Sequence, residues 1–140
     1  MKVYLSNKKQ ENANYKWANS LPMLDGVLLD SEGTDVVCDN FVSSFDGTEL
    51  VGLIKKLVSK LRLKGKLTIC DVDSAVLARR MYNQEITEED ANNALFHNQK
   101  RKSLHSLRTI IDCLPPNVKV ETKDYELQTC RFTLVVRRVS

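Results

Sequence analysis

One stretch of the chain repeats its apolar positions at helical spacing more clearly than any other. Leu50, Leu53, Ile54, Leu57, Val58 and Leu61 recur every three or four residues, while Lys55, Lys56, Ser59 and Lys60 fill the opposite face. Asp46 and Glu49 stand ahead of it at capping-box spacing, and Gly65 is placed to end the helix. The apolar runs before and after it are shorter and β-prone. Lys2–Ser6 predicts an opening strand, a polar stretch follows, and Tyr15–Asn19 predicts a short second strand. Gly26–Asp30 reads as a third strand. Thr34–Phe41, with Asp-Val-Val-Cys at its centre, reads as a buried strand of a parallel sheet covered on both faces.

Lys66–Val72 predicts the next strand and Ser74–Tyr82 a helix after it. Thr87 caps a short helix whose first turn holds Glu88, Glu89 and Asp90, acids that suit the helix dipole. Ser103 is expected to cap a last helix through Leu104, Leu107, Ile110, Ile111 and Leu114, stopped by Pro115-Pro116. Val118–Tyr125 and Cys130–Val139 then predict an antiparallel pair. Strands and helices alternate and end in two strands. The expectation is therefore a single α/β domain over residues 1–140, with a mostly parallel central sheet, flanking helices and a C-terminal antiparallel pair.

Composition narrows the functional classes. At 140 residues and 42% apolar, the chain can bury a core without covalent staples. A net charge of +3 spread along the sequence lacks the clustered excess of a dedicated nucleic-acid binder. Cys38, Cys70, Cys113 and Cys130 are far apart with no C-x-x-C pair, which reads as free thiols rather than a disulfide framework or a zinc site. No apolar run approaches the ~20 residues of a membrane span, and no signal-type apolar segment opens the sequence. The expected location is the cytoplasm.

Several phrases carry a resemblance. Asp35-Val-Val-Cys-Asp-Asn-Phe41, the helix after it, and Leu61-Arg-Leu-Lys-Gly-Lys-Leu-Thr-Ile-Cys-Asp-Val-Asp73 resemble the fourth strand, following helix and fifth strand of class I S-adenosylmethionine-dependent methyltransferases. Leu77-Ala-Arg-Arg-Met-Tyr82 and Ile86-Thr-Glu-Glu-Asp-Ala-Asn-Asn-Ala-Leu-Phe96 are similar to a group of short predicted methyltransferases, and the resemblance runs along the whole chain. It implies a Rossmann-like fold whose cofactor would lie over the ends of the first strands. By that resemblance the cofactor positions are Ser6, Asn7, Asn19, Asp30 and Asn40. Asp71 and Asp73, at the end of the fifth strand, are the acceptor-side candidates.

At those positions the chain departs from the family. A glycine-rich turn follows the first strand in the family, where residues without a Cβ let the backbone approach the cofactor. Here Ser6-Asn7-Lys8 stands there, and the first glycine is Gly26. Asn40-Phe-Val-Ser-Ser-Phe45 replaces a segment that carries histidines and an acid in the family, which removes the obvious general base. Three readings follow. The first is a degenerate, non-catalytic binding or interaction module for a protein or small molecule, with no cofactor. The second is an enzyme that holds S-adenosylmethionine or another nucleotide through a rebuilt loop. The third is an oligomer, such as a homodimer, whose terminal strands pair between subunits.

Plainer roles compete at each singled-out residue. Asp73 or Ser74 could cap the next helix, Asp30 could be a turn acid, and Asn7, Lys8 and Lys9 could form a solvated loop or cradle an anion. His97 and His105 flank the basic run Lys100-Arg101-Lys102, which reads as a surface loop or a contact for phosphate or an acidic partner. Trp17 could stack on a base or plug the edge of the core.

Overall fold

The structure is a computed structural model that describes residues 1–96 and 100–140. Six strands form one sheet: β1 (Lys2–Ser6), β2 (Lys16–Ala18), β3 (Gly33–Asp39), β4 (Leu61–Val72), β5 (Val118–Glu126) and β6 (Arg131–Arg138). Their order across the sheet is β2-β1-β3-β4-β6-β5. The first four are parallel, and β6 runs antiparallel between β4 and β5. Among the described residues five α-helices and a short 3-10 helix (Val42–Ser44) accompany the sheet: α1 (Leu21–Val27), α2 (Gly47–Lys60), α3 (Ser74–Tyr82), α4 (Glu88–Phe96) and α5 (Leu107–Asp112).

Helix α2 forms as its pattern predicts. Asp46 accepts from the N–H groups of Thr48 and Glu49, and the Glu49 carboxylate reaches back to the Asp46 N–H at 3.2 Å. Its apolar stripe from Leu50 to Val58 is buried against the sheet.

Three expectations are corrected. Gly26–Asp30 is not a strand. Ser20 caps α1 with Pro22 in the first turn, and Leu24 and Leu28, one helical turn apart, point into the core. The strand expected as fourth is therefore the third. Gly65 does not end α2, because the chain passes from Lys60 directly into β4 at Leu61, which bulges against β3. A Cβ on Gly65 would lie 2.5 Å from the carbonyl oxygen of Gly33. Gly65→Ala is thus expected to cost about 1–3 kcal/mol by forcing the two strands apart, and a thermal melt indistinguishable from wild type would refute that close approach. The last helix starts at Ser106, not Ser103: Ser106 accepts from Thr109, while His105 pairs in extended conformation beside Asp73.

The handedness of the connections decides which face of the sheet is covered. Parallel crossovers are right-handed, so a connection running toward β5 passes over one face and one running toward β2 passes over the other. The links β2→β3, β3→β4 and β4→β5 all run toward β5. Their helices α1, α2 and α5 pack on one face, over Val3, Leu5, Val36, Cys38, Leu67 and Ile69. Only β1→β2 runs the other way, and its nine residues, Asn7 to Tyr15, contain no helix.

The opposite face therefore carries no helix layer, and the Tyr15 side chain from the β1–β2 connection lies against Tyr4 and Asp35 on it. Among the described residues no helix lies over it, and the strands alternate between fully and partly buried positions along their length. The Asp-Val-Val-Cys strand is covered on one side only: Val36 and Cys38 face the core, while Val37 faces the open side with Tyr4, Thr68 and Val135. Helices α3 and α4 sit beyond the end of β4, around a small separate cluster of Val72, Val76, Leu77 and Cys130. Among the described residues no helix is long and apolar enough to cross a membrane.

Candidate functional site

The reversal of strand order places a switch point between β1 and β3, since the chain leaves β1 for one side of the sheet and returns on the other. In open α/β sheets the crevice over such a point, at the carboxyl ends of the strands, is the usual ligand site. Here a crevice of about 550 Å³ opens there, within the range of small-molecule sites. Asn7 after β1, Asn19 after β2, Phe41 and Phe45 after β3, and Lys100 and Lys102 line it.

Asn7 crosses the switch point. Its amide nitrogen, Nδ2, donates to the Asn40 carbonyl at 3.3 Å and to Ser44 Oγ at 3.2 Å, joining the ends of β1 and β3. Ser6 is buried beside it, and its hydroxyl donates to the Lys8 carbonyl while accepting from Trp17 Nε1 at 3.2 Å. The turn that would be glycine-rich in the resembled family is thus closed by its own side chains. Asn40 takes a left-handed backbone conformation (φ 52°) that asparagine tolerates, and its side-chain oxygen accepts from Arg131. Trp17 lies on the open face of the edge strand, in register with Tyr4.

The other sequence-derived candidates fall elsewhere. Asp30 is at the opposite end of the sheet, before the first residue of β3, so it cannot take part in a site over the strands' carboxyl ends. Its carboxylate is 3.1 Å from Lys60 Nζ, and the same ammonium binds Asp25 at 2.9 Å, which together hold the lysine pKa above its usual value. The Gly26–Asp30 strand that would have carried Asp30 to the crevice does not exist. Asp71 and Asp73 do reach the carboxyl end of β4, but both are buried there. Asp73 Oδ1 accepts from the N–H groups of Ala75 and Val76, and Oδ2 from that of Leu107. Asp71 accepts from Ser43 N at 3.1 Å and from Arg101 at 3.0 Å.

Arg101 is the residue that sequence reasoning misplaced. It belongs to the basic run read as surface, yet its side chain is 7% exposed and separates two crevices. The second crevice, of about 340 Å³, lies over the ends of β4 and β6 between Ile86, Asn93, Thr129 and Arg131. Besides Asp71, Arg101 donates to the carbonyls of Ala94 and Leu95. Its Nε and the Ser43 hydroxyl are buried with no partner among the described residues. His105 is buried against the Phe45 carbonyl at 2.8 Å, while His97 lies outside the described residues.

On the open face the charges pair within the sheet. Tyr4 donates to Asp39 at 2.6 Å, and Asp39 also binds Arg131 at 2.7 Å. Tyr15, from the β1–β2 loop, donates to Asp35 at 2.8 Å and packs edge-on against Tyr4. Burial, followed by the neighbouring Asp39, raises the Tyr4 pKa. The bond to Asp35 raises that of Tyr15. All four cysteines are free, and burial pushes their thiols up, most of all that of Cys38. Among the described residues no three His, Cys, Asp or Glu side chains are grouped to hold a metal ion.

Comparison with known proteins settles the architecture. A protein from Pyrococcus horikoshii superimposes with a TM-score of 0.62 over 89% of this chain, at 15% identity. S-adenosylmethionine-dependent methyltransferases from Archaeoglobus fulgidus (0.56, 13% identity) and Methanosarcina mazei (0.55, 15% identity) each match over the same share of the chain. The chain has the Rossmann-like methyltransferase fold. It spans 60%, 68% and 66% of the lengths of these three proteins, respectively. No family sequence profile and no curated protein matches it.

Proposed function

We propose that this chain is a methyltransferase-fold binding module that does not catalyse methyl transfer. The observation that carries this reading is the Asn7 amide, which spans the switch point from β1 to the Asn40 carbonyl and Ser44 hydroxyl. A cofactor lying between those strand ends needs close access to the backbone, and Asn7 fills that approach. The residues present therefore do not fit S-adenosylmethionine. The absence of histidine and acid from Asn40–Phe45 supports the same reading, since the side chains there offer no base to a methyl acceptor. What remains is the crevice beside Asn7, with Phe41 and Phe45 for an apolar group and the Lys100 and Lys102 side for an anion.

Titration with S-adenosylmethionine and S-adenosylhomocysteine tests this directly. A ligand that binds the native state at 100 times its Kd stabilises it by about 2.7 kcal/mol, a shift of several degrees in Tm. The expected result is no shift at millimolar ligand. A clear shift would overturn the reading and favour an enzyme with a rebuilt loop. The combined change Ser6→Gly, Asn7→Cys and Lys8→Gly is expected to remain folded and to gain measurable affinity for the same ligands.

A further inference from the structure

We infer that the face of the sheet without a helix layer is an interface between two copies of this chain. The face has three rows that run across the strands. At the amino ends of the parallel strands stand Lys2, Asp35, Lys66 and Arg137, with Lys119 and Glu121 on the edge strand, and the Tyr15 ring lies across Lys2, Tyr4 and Asp35. The middle row is a belt of Trp17, Tyr4, Val37, Thr68 and Val135, closed by Thr122. At the carboxyl ends stand Asp39, Cys70, Thr133 and Asp124, joined by Arg131, with Ser6 buried at the end of the same row.

The first row holds four cations against two carboxylates, the last two carboxylates against one cation. A twofold axis along the belt, in the plane of the interface and perpendicular to the strands, packs the belt on itself. It also sets the cationic row of one copy against the acidic row of the other. An axis parallel to the strands would instead oppose like rows. An isologous contact requires such self-complementarity, and this surface has it in one orientation only.

The dimensions suit the same conclusion. Six strands at ~4.8 Å spacing and about five residues of ~3.3 Å give a flat footprint of roughly 450 Å² on each copy. Two such footprints bury roughly 900 Å², the size of a weak, concentration-dependent contact rather than of an obligate dimer. Mostly parallel sheets seldom leave a face in water, and stacked sheets bury such faces with their strands at about −30°.

Light scattering or sedimentation across concentrations, with the full chain, tests the inference. The expected species at about 100 μM is a dimer, for a micromolar Kd suited to an interface of this size. Val37→Lys puts two like charges on the axis but lies outside the monomer's core, so it should give a monomer with an unchanged circular-dichroism spectrum. If that variant fails to fold, charge reversal at the exposed edge strand decides. Lys119 and Asp124 are five residues apart on β5, about 16 Å, too far to pair within one chain. Lys119→Glu and Asp124→Lys should each weaken the dimer about tenfold, and the double variant should restore it, because the twofold brings these two rows together. A wild-type monomer at every concentration overturns the inference. So does a dimer indifferent to all these changes, such as one joined through the free edge of β5. None of these readouts depends on whether S-adenosylmethionine binds.

Discussion

Replacing Asp73 by alanine is expected to lower the unfolding free energy by about 4 kcal/mol, among the largest effects of any single change in this chain. The residue is 1% exposed, and both carboxylate oxygens are occupied. Oδ1 takes the N–H groups of Ala75 and Val76 at 2.9 Å, which open α3, and Oδ2 takes that of Leu107 at 2.8 Å, which opens α5. One side chain thus starts two helices and ties them to the end of β4. A lost cap costs about 1 kcal/mol, and each buried N–H left without an acceptor costs about 1–3 kcal/mol. Asparagine keeps one oxygen for α3 but presents an amide donor to the Leu107 N–H, so Asp73→Asn should cost about half as much. Urea unfolding of both variants checks the ranking. A loss below about 1 kcal/mol for alanine would mean that water or another acceptor replaces the carboxylate.

The second large effect is expected at Asp71. Its side chain is 2% exposed and faces an Arg101 side chain that is 7% exposed. Removing one partner of such a pair leaves a buried charge without compensation, at a cost of about 3–5 kcal/mol. Asp71→Ala also strips an acceptor from the Ser43 N–H at 3.1 Å. Replacing both partners by apolar residues, Asp71→Leu with Arg101→Met, removes the stranded charge, and at least half of the loss should return. The double-mutant cycle separates the alternatives. If the double variant is no more stable than Asp71→Ala alone, the arginine is not what makes the single change costly.

These two carboxylates show where sequence reading ends. Their place at the carboxyl end of a central strand was legible from the Lys66–Val72 pattern and the helix that follows. The cap at Asp73 is local, so its spacing to Ala75 and Val76 also shows in sequence. The partner of Asp71 is not local. Arg101 lies 30 residues away inside Lys100-Arg101-Lys102, and a run of three cations carries no mark that its middle member turns inward.

The start and buried face of helix α2 were legible because a capping box and an apolar stripe agree on them, whereas its end was not, since Leu61 to Gly65 already belong to β4. The Gly26–Asp30 segment failed for the opposite reason. Gly-Val-Leu-Leu-Asp has strand-like composition, but Leu24 and Leu28 are one helical turn apart, and Ser20 with Pro22 had already started α1. That single misreading carried Asp30 to the wrong end of the sheet. Asn7 and Asn19 both line the crevice over the strands' carboxyl ends. The bond from Asn7 to Asn40 spans 33 residues and belongs to the folded sheet alone.

The sorting of crossovers by direction also bears on how such a chain can change over time. Every segment that runs toward β5 shares the core of α1, α2 and α5, so a gain or loss in one disturbs the others. The Asn7–Tyr15 connection shares that core with none of them. A helix added there would build a new layer of the molecule and leave the existing one intact. An insertion in that connection is therefore expected to leave the packing of α1, α2 and α5 unchanged.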